Sequence, residues 1–314
     1  MRNREKPATM ATGALIVVLS CAAVSCTGNP LIDTALSIGK NMLSAAASNY
    51  APSYSDDLTK LVEALVRIPE QAAPENTALA SLDAMDPGSD DDASDSPSYT
   101  SSLGDGTVTP DTDEITSATL GSIELDISLL KEVQLANGVY EAVPLEDGDV
   151  VTKENLIKLK VRTNMDCYLY IASVDGTGWA QPLFPGAADN LAVGHSNPVS
   201  AGVEYNFPEG DEWYELDNYT GVETLFFVAS HVQRPDLEKV FAKLALNTRP
   251  ELDPATAAAV TEPAVVTRGF GGKKTGRSTY VTTSDRKRHS IKPAQFISKI
   301  GTDALVITRY FQHD

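Results

Sequence analysis

The chain has 314 residues, three cysteines and a net charge of −18 from 43 acidic and 25 basic side chains. That length leaves room for one or two domains. So few cysteines exclude a disulfide-dense scaffold, and the acidic excess argues against nucleic acid as a partner. The charge is uneven: residues 83–149 hold 17 acidic residues against Lys131 alone, whereas residues 239–299 hold 12 basic and 4 acidic ones.

Arg2, Arg4 and Lys6 precede an apolar run from Met10 to Leu19, after which small residues lead to Cys21 and Cys26. A basic head, a short apolar stretch and a small-residue exit predict an export signal over 1–25, too short to stay as a membrane span. A cysteine after such a run resembles the lipobox of bacterial lipoproteins, whose thiol is acylated and becomes the new N-terminus. Both Val18-Leu19-Ser20-Cys21 and Ala23-Val24-Ser25-Cys26 fit. Cys26 is the expected lipidation site, with Cys21 the alternative, because Leu19 is bulky beside a cut and Thr27-Gly28-Asn29-Pro30 reads as a tether. The resemblance implies a membrane anchor of palmitate type, each buried methylene contributing about 0.8 kcal/mol. Thr27 stands where an inner-membrane retention Asp would, which implies the outer membrane, facing periplasm or surface. Cys167 would then remain alone, unable to form an intramolecular disulfide, and is expected as a buried strand residue. A catalytic thiol would need a nearby histidine, and His195, His231, His289 and His313 are scattered.

Residues 31–50 and 56–68 each place apolar residues on one helical face: Leu31, Ile32, Leu36, Met42 and Leu43, then Leu58, Leu61, Val62 and Leu65. Ser55 is the predicted N-cap of the second helix, Asp56 and Asp57 suit its positive end, and Pro69 closes it. Residues 26–69 are thus a helical tether that either packs on the body or meets a partner. Residues 70–118 are rich in Ala, Pro, Asp, Ser and Thr and predict a disordered acidic linker. Its Asp90-Asp91-Asp92 run lacks the spacing of a calcium loop.

The body, residues 119–314, reads as mainly β. Strands are predicted at Ile123–Ile127, Glu132–Ala136 and Val139–Val143, the last two joined by an Asn137-Gly138 hairpin. Leu156–Val161 and Cys167–Val174 read as a pair, followed by Trp179–Phe184, Val199–Phe207 and Thr224–Ser230. Pro235 opens one sizeable helix, and Ala304–Phe311 is the last strand. The expected fold is a sandwich of short antiparallel strands with that helix.

These strands, in order, resemble the bacterial domain-of-unknown-function family 4384 across residues 149–230. The resemblance is carried by Cys167-Tyr168-Leu169-Tyr170-Ile171, Asp175-Gly176-Thr177-Gly178, Pro182-Leu183-Phe184-Pro185, Asn197-Pro198-Val199-Ser200-Ala201-Gly202, Phe207-Pro208 and Gly221-Val222-Glu223-Thr224-Leu225. Thr308–His313 is similar to the family's closing strand. The resemblance implies an exported accessory domain, found in lipoproteins or beside enzyme modules, and carries over no catalytic residue. No enzyme module accompanies it in this sequence.

Tyr168 and Tyr170 share one strand face and form either an exposed aromatic ledge or sheet packing with satisfied hydroxyls. Lys273, Lys274 and Arg277 belong to a basic stretch, 262–292, expected as a flexible loop that contacts an anionic partner or stands solvated. Its glycines miss P-loop spacing, so no nucleotide is expected, and no residue spacing suggests a metal or other cofactor. The sequence reads as a non-enzymatic envelope lipoprotein whose β-rich module binds a partner or ligand. Alternatives are an assembly subunit of an envelope or secretion complex, docking through helices 31–68, and a hydrolase or transferase with an unrecognised site.

Overall fold

The computed structural model describes residues 42–66, 121–186, 196–262, 273–298 and 302–314. The export signal, Cys21, Cys26, residues 31–41 with Pro69, the acidic stretch 70–118 and residues 263–272 lie outside the described residues. Among the described residues no helix is long and apolar enough to cross a membrane.

Strands dominate, as expected. One sheet contains β1 (Glu124–Gln134), β2 (Tyr140–Pro144), β4 (Leu156–Thr163), β7 (Glu204–Phe207), β8 (Tyr214–Glu215), β10 (Lys273–Thr275) and β13 (Ala294–Ile297), ordered β10-β13-β1-β4-β7 with β2 on β1 and β8 on β4. A second has the order β3-β14-β9-β5-β6, built from β3 (Val150–Val151), β5 (Tyr168–Val174), β6 (Ala180–Phe184), β9 (Gly221–Ser230) and β14 (Ala304–His313). A separate hairpin pairs β11 (Thr279–Thr282) with β12 (Arg288–Ile291).

Alternation decides the core. On β1 and β4, Leu125, Ile127, Leu129, Leu159 and Val161 face Leu169, Ile171, Phe227 and Ile307 of the second sheet, forming a dry layer between the sheets. Phe184 meets Phe207 edge-on there, with centroids 5.6 Å apart. Cys167 joins this layer at 1 % exposure and forms a bridge with Val199. Burial pushes its thiol up to about 11, so it is held as an unreactive core thiol.

The other face of the second sheet is apolar too. Tyr170, Ala172, Val174, Phe226 and Val228 lie under three helices: α1 (residues 42–49), α2 (Pro52–Val66) and α3 (Pro235–Leu246). The domain is therefore three layers, sheet on sheet on helices. Tyr54 stacks on Trp179 with centroids 4.5 Å apart and planes at 4°, and its hydroxyl bonds the backbone of Ala180. Residues 42–66 thus pack on the body as a covering layer, one of the two readings their amphipathic faces allow.

Three local expectations are corrected. α2 begins at Pro52, whose ring presets the first helical turn, so Ser55 lies inside the helix and Asp56 and Asp57 fall beyond its first turn. Asp57 instead pairs with Lys243 of α3. The strands around Leu156–Val161 and Cys167–Val174 are not partners: β4 pairs with β1, β7 and β8, while β5 pairs with β6 and β9. The chain crosses from one sheet to the other at 164–167, where each strand finds an apolar partner layer. Much of the basic stretch is ordered as β10 and the β11–β12 hairpin rather than one loop.

Candidate functional site

Two polar regions stand out against this core. The first follows from the Asp-Gly turn. Asp175 Oδ1 accepts from Thr177 N at 2.8 Å, Thr177 Oγ1 at 2.7 Å and Trp179 N at 2.9 Å, closing the β5–β6 connection. Its other oxygen lies 2.5 Å from Arg249 Nη2, and Arg249 Nη1 lies 2.5 Å from Asp217. The guanidinium also covers the Tyr219 ring at 4.4 Å. Glu223, at the start of β9, accepts from Gly176 N at 3.0 Å, and His313 Nδ1 stands 3.9 Å from its carboxylate. That separation is a charge contact, beyond hydrogen-bond reach.

Three carboxylates thus share one arginine and one histidine at a single end of the second sheet. Burial pushes the Glu223 carboxyl up to about 7, with Asp175 adding repulsion and His313 opposing the shift. Burial also raises Asp175, against the pull of Arg249. The Glu223 carboxylate raises His313 above its ordinary value. Backbones meet closely here: a Cβ on Gly176 would lie 2.6 Å from Thr220 O and one on Gly221 2.6 Å from Gly176 O, so neither position accepts a side chain. Tyr50 bonds Thr177 Oγ1 at 2.6 Å, and Asn49 bonds Thr177 O and Ala258 O at 3.0 and 2.8 Å. The network therefore ties α1 and the segment after α3 to the sheet end. Its polar groups face one another, and a groove of about 250 Å³ beside it, between α1 and residues 258–262, is walled mostly by small side chains, with Glu262 among its lining.

The second region is the outer face of the first sheet. β4 alternates Lys158, Lys160 and Arg162 outward, opposite its apolar row. Lys158 Nζ donates to the carbonyls of Pro208, Gly210 and Glu212 at 3.3, 2.8 and 2.5 Å. Burial lowers it to about 8, with neighbouring Lys160 adding to the shift. Lys160 pairs with Glu204 at 2.6 Å and bonds Thr279 at 3.0 Å. Arg162 pairs with Asp126 at 2.5 Å and donates to the Arg277 carbonyl at 2.9 Å. Glu132 receives Ser284 N at 2.6 Å and Ser284 Oγ at 2.5 Å. These contacts dock the β11–β12 hairpin across the sheet.

The hairpin turns Thr279, Val281 and Ile291 inward and Tyr280 and Arg288 outward. Tyr280 is 51 % exposed, with the Arg288 guanidinium 3.9 Å from its ring centroid. The tip is held by Thr283 N→Lys287 O at 2.9 Å and Arg286 N→Thr283 O at 2.7 Å. Arg286 sits there at φ 63°, a conformation that ordinarily calls for glycine or asparagine. Arg277, Arg286, Lys287, Arg288 and Lys292 are exposed.

The five residues singled out from sequence do not form one surface. Tyr170 is fully buried beneath α3, edge-on to Phe241, its hydroxyl between Glu238 and Arg234 N. Tyr168 is half-buried at the same layer. Of the two readings of these tyrosines, packing with a satisfied hydroxyl is the one found for Tyr170, because helices cover the face that alternation left open. Lys273 and Lys274 lie on edge strand β10 opposite Phe296 and Gln295. Arg277 stands in the link that leads to the hairpin. Sequence alone does not join Asp175, Arg249, Glu223 and His313, because they are separated by up to 138 positions in the chain and no motif links them.

Strands β4 to β9, with the Asp175 turn between them, form a continuous block spanning both sheets. Residues 151–233 match the family model described as Domain of unknown function (DUF4384). The matched block contains Asp175, Asp217 and Glu223, while Arg249, His313 and Tyr50 come from outside it. Asn197, within it, uses both side-chain atoms on the Leu169 backbone, each at 2.8 Å, extending β5 as a strand would. No curated protein and no solved structure shows detectable similarity to the chain.

Proposed function

We propose that this protein is a non-enzymatic lipoprotein of the bacterial cell envelope, anchored through an acylated Cys26, whose β-rich domain binds a partner through its basic hairpin. The observation that carries the binding reading is the contrast between the two polar regions. Titratable groups at the sheet end are buried or half-buried and paired with one another. The hairpin and the link leading to it present Arg277, Arg286 and Arg288 on the exposed side that also carries the half-exposed Tyr280. Exposed arginine and tyrosine are the side chains that interfaces favour.

The anchor rests on the order of basic head, apolar run and cysteine in residues 1–26. Docking through helices 31–68 is the weaker alternative, because the apolar side chains of their described part, residues 42–66, are already covered by the sheet. Labelling cells with a palmitate analogue and fractionating them tests the anchor. Cys26→Ser is expected to lose label and membrane association while Cys21→Ser keeps both. A Cys26→Ser protein that stays labelled and membrane-bound refutes it. Capture of envelope proteins by wild type, set against a hairpin charge-reversal variant, tests the binding half.

A further inference from the structure

The described arginines divide by location. Arg162, Arg234, Arg249 and Arg309 each pair with at least one carboxylate. Arg286 and Arg288 on the hairpin, and Arg277 in the link before it, pair with none among the described residues, and neither does Lys292. The carboxylates near the hairpin are already engaged: Asp285 with Lys287, Glu132 with Ser284, and Glu204 with Lys160. Residues 273–298 hold seven Lys and Arg against one Asp, within a chain of net charge −18. The hairpin keeps Arg286 at a positive φ, which costs about 1–2 kcal/mol for a side chain other than glycine. Strain of that kind clusters at functional sites.

The complementary charge lies in the same chain. Residues 83–114 carry ten Asp and Glu and no Lys or Arg. They lead into Gly121, whose carbonyl lies 3.1 Å from His231 Nε2, and then into β1. The hairpin lies along β1, with Gly276 against Asp126 and Ser284 on Glu132. At roughly 3.3–3.6 Å per residue, Glu114 can reach about 25 Å from Gly121 and Asp95 about 90 Å. The distance along β1 to the hairpin tip is only about 35 Å at that rise. Every exposed hairpin cation is thus within covalent reach of the acidic run.

We propose that the outward face of the β11–β12 hairpin is a docking surface for Asp-rich polypeptide, and that this chain's own residues 83–114 are its resident occupant. The proposal rests on the reading of the hairpin as the binding face, and it names the partner chemistry. Arg277, Arg286 and Arg288 offer bidentate donors to carboxylates, and the Tyr280–Arg288 stack holds one guanidinium in place. Covalent linkage supplies the acidic run at an effective concentration in the millimolar range. An external acidic segment gains the face only by displacing it.

The test uses a fluorescent peptide of residues 83–114 as probe, with binding read by anisotropy. It is titrated with the full chain in non-ionic detergent, with the chain lacking 83–114, and with that deletion carrying Arg277→Glu, Arg286→Glu and Arg288→Glu. Thermal melts confirm that all three fold. The deletion is expected to bind at least tenfold more tightly than the full chain, to lose binding on charge reversal, and to weaken steeply between 50 and 300 mM salt. Equal affinity of full and deleted chains, or binding that survives reversal, overturns the proposal. If envelope partners are captured through the hairpin equally by full and deleted chains, the binding face stands and the resident segment does not. If the hairpin captures neither peptide nor envelope protein, both fail.

Discussion

Replacing Arg249 with methionine removes the cation shared by Asp175 and Asp217 while leaving an unbranched chain over the Tyr219 ring. Breaking a buried pair from one side ordinarily costs about 3–5 kcal/mol, because the partner charge stays behind without compensation. The Arg249 side chain keeps 26 % of its exposure and Asp217 keeps 37 %, while Asp175 keeps 16 %, so solvent relieves part of this loss. The expected cost is about 2–3 kcal/mol, or roughly 5–10 °C in melting temperature for a domain of this size. The loss has a definite pH dependence. Burial already raises the Asp175 carboxyl, and Arg249 opposes that shift. Without the arginine, folded Asp175 holds its proton more tightly than the unfolded chain does, so folding is favoured at low pH and penalised as pH rises. Urea unfolding of Arg249→Met should therefore show its largest deficit at pH 8 and a much smaller one near pH 4.5. Asp175→Asn in the same background should recover part of it. A deficit below about 1 kcal/mol, or one that does not change with pH, refutes the view that this network fastens the sheet end.

Burial pushes the folded Glu223 carboxyl up to about 7, above its ordinary 4.5. Its contribution is complete below about pH 4.5 and lost as pH rises through 7, so wild-type stability should fall between pH 5 and 8. Glu223→Gln should flatten that slope and raise the pH 8 urea midpoint. Arg286→Gly relieves a positive φ and should stabilise by about 0.5–1 kcal/mol in denaturant melts while weakening capture of acidic partners. Leu58→Ala empties a fully buried position under the helical layer and should cost about 2–5 kcal/mol by the same assay, where a free tether would lose nothing. Lys158→Met leaves the carbonyls of Pro208, Gly210 and Glu212 without their donor, and amide exchange across 209–213 should rise.

Much of the architecture could be read from alternation and turn chemistry. The Asn137-Gly138 hairpin forms with Gln134 opposite Tyr140 and Gly138 at φ 79°. The Asp175–Gly178 turn joins β5 to β6, and Pro235 opens α3. Local signals failed where distant contacts decide. Pairing of β4 with β1 rather than β5 depends on which sheet each strand joins, and adjacency in sequence misleads there. Tyr170 occupies a position that alternation marks as outward, but α3 is placed over it by an apolar face whose target no local pattern names. The basic stretch looked like a loop because Arg, Lys, Ser and Thr dominate it. It is a hairpin because its inward Val281 and Ile291 meet Leu130 and Ala142. Of the candidate site, Arg277 and the basic stretch were legible. The sheet-end network was not, because it assembles from five separate segments.

The most direct test of the account is quantitative capture from solubilised envelopes with natively anchored protein, comparing wild type with the Arg277→Glu, Arg286→Glu, Arg288→Glu variant. Co-purifying proteins are identified by mass spectrometry, and melting curves confirm equal folding. The account predicts a partner retained by wild type, released by added salt and absent from the variant. A partner captured equally by both would contradict the assignment of the hairpin as the binding face.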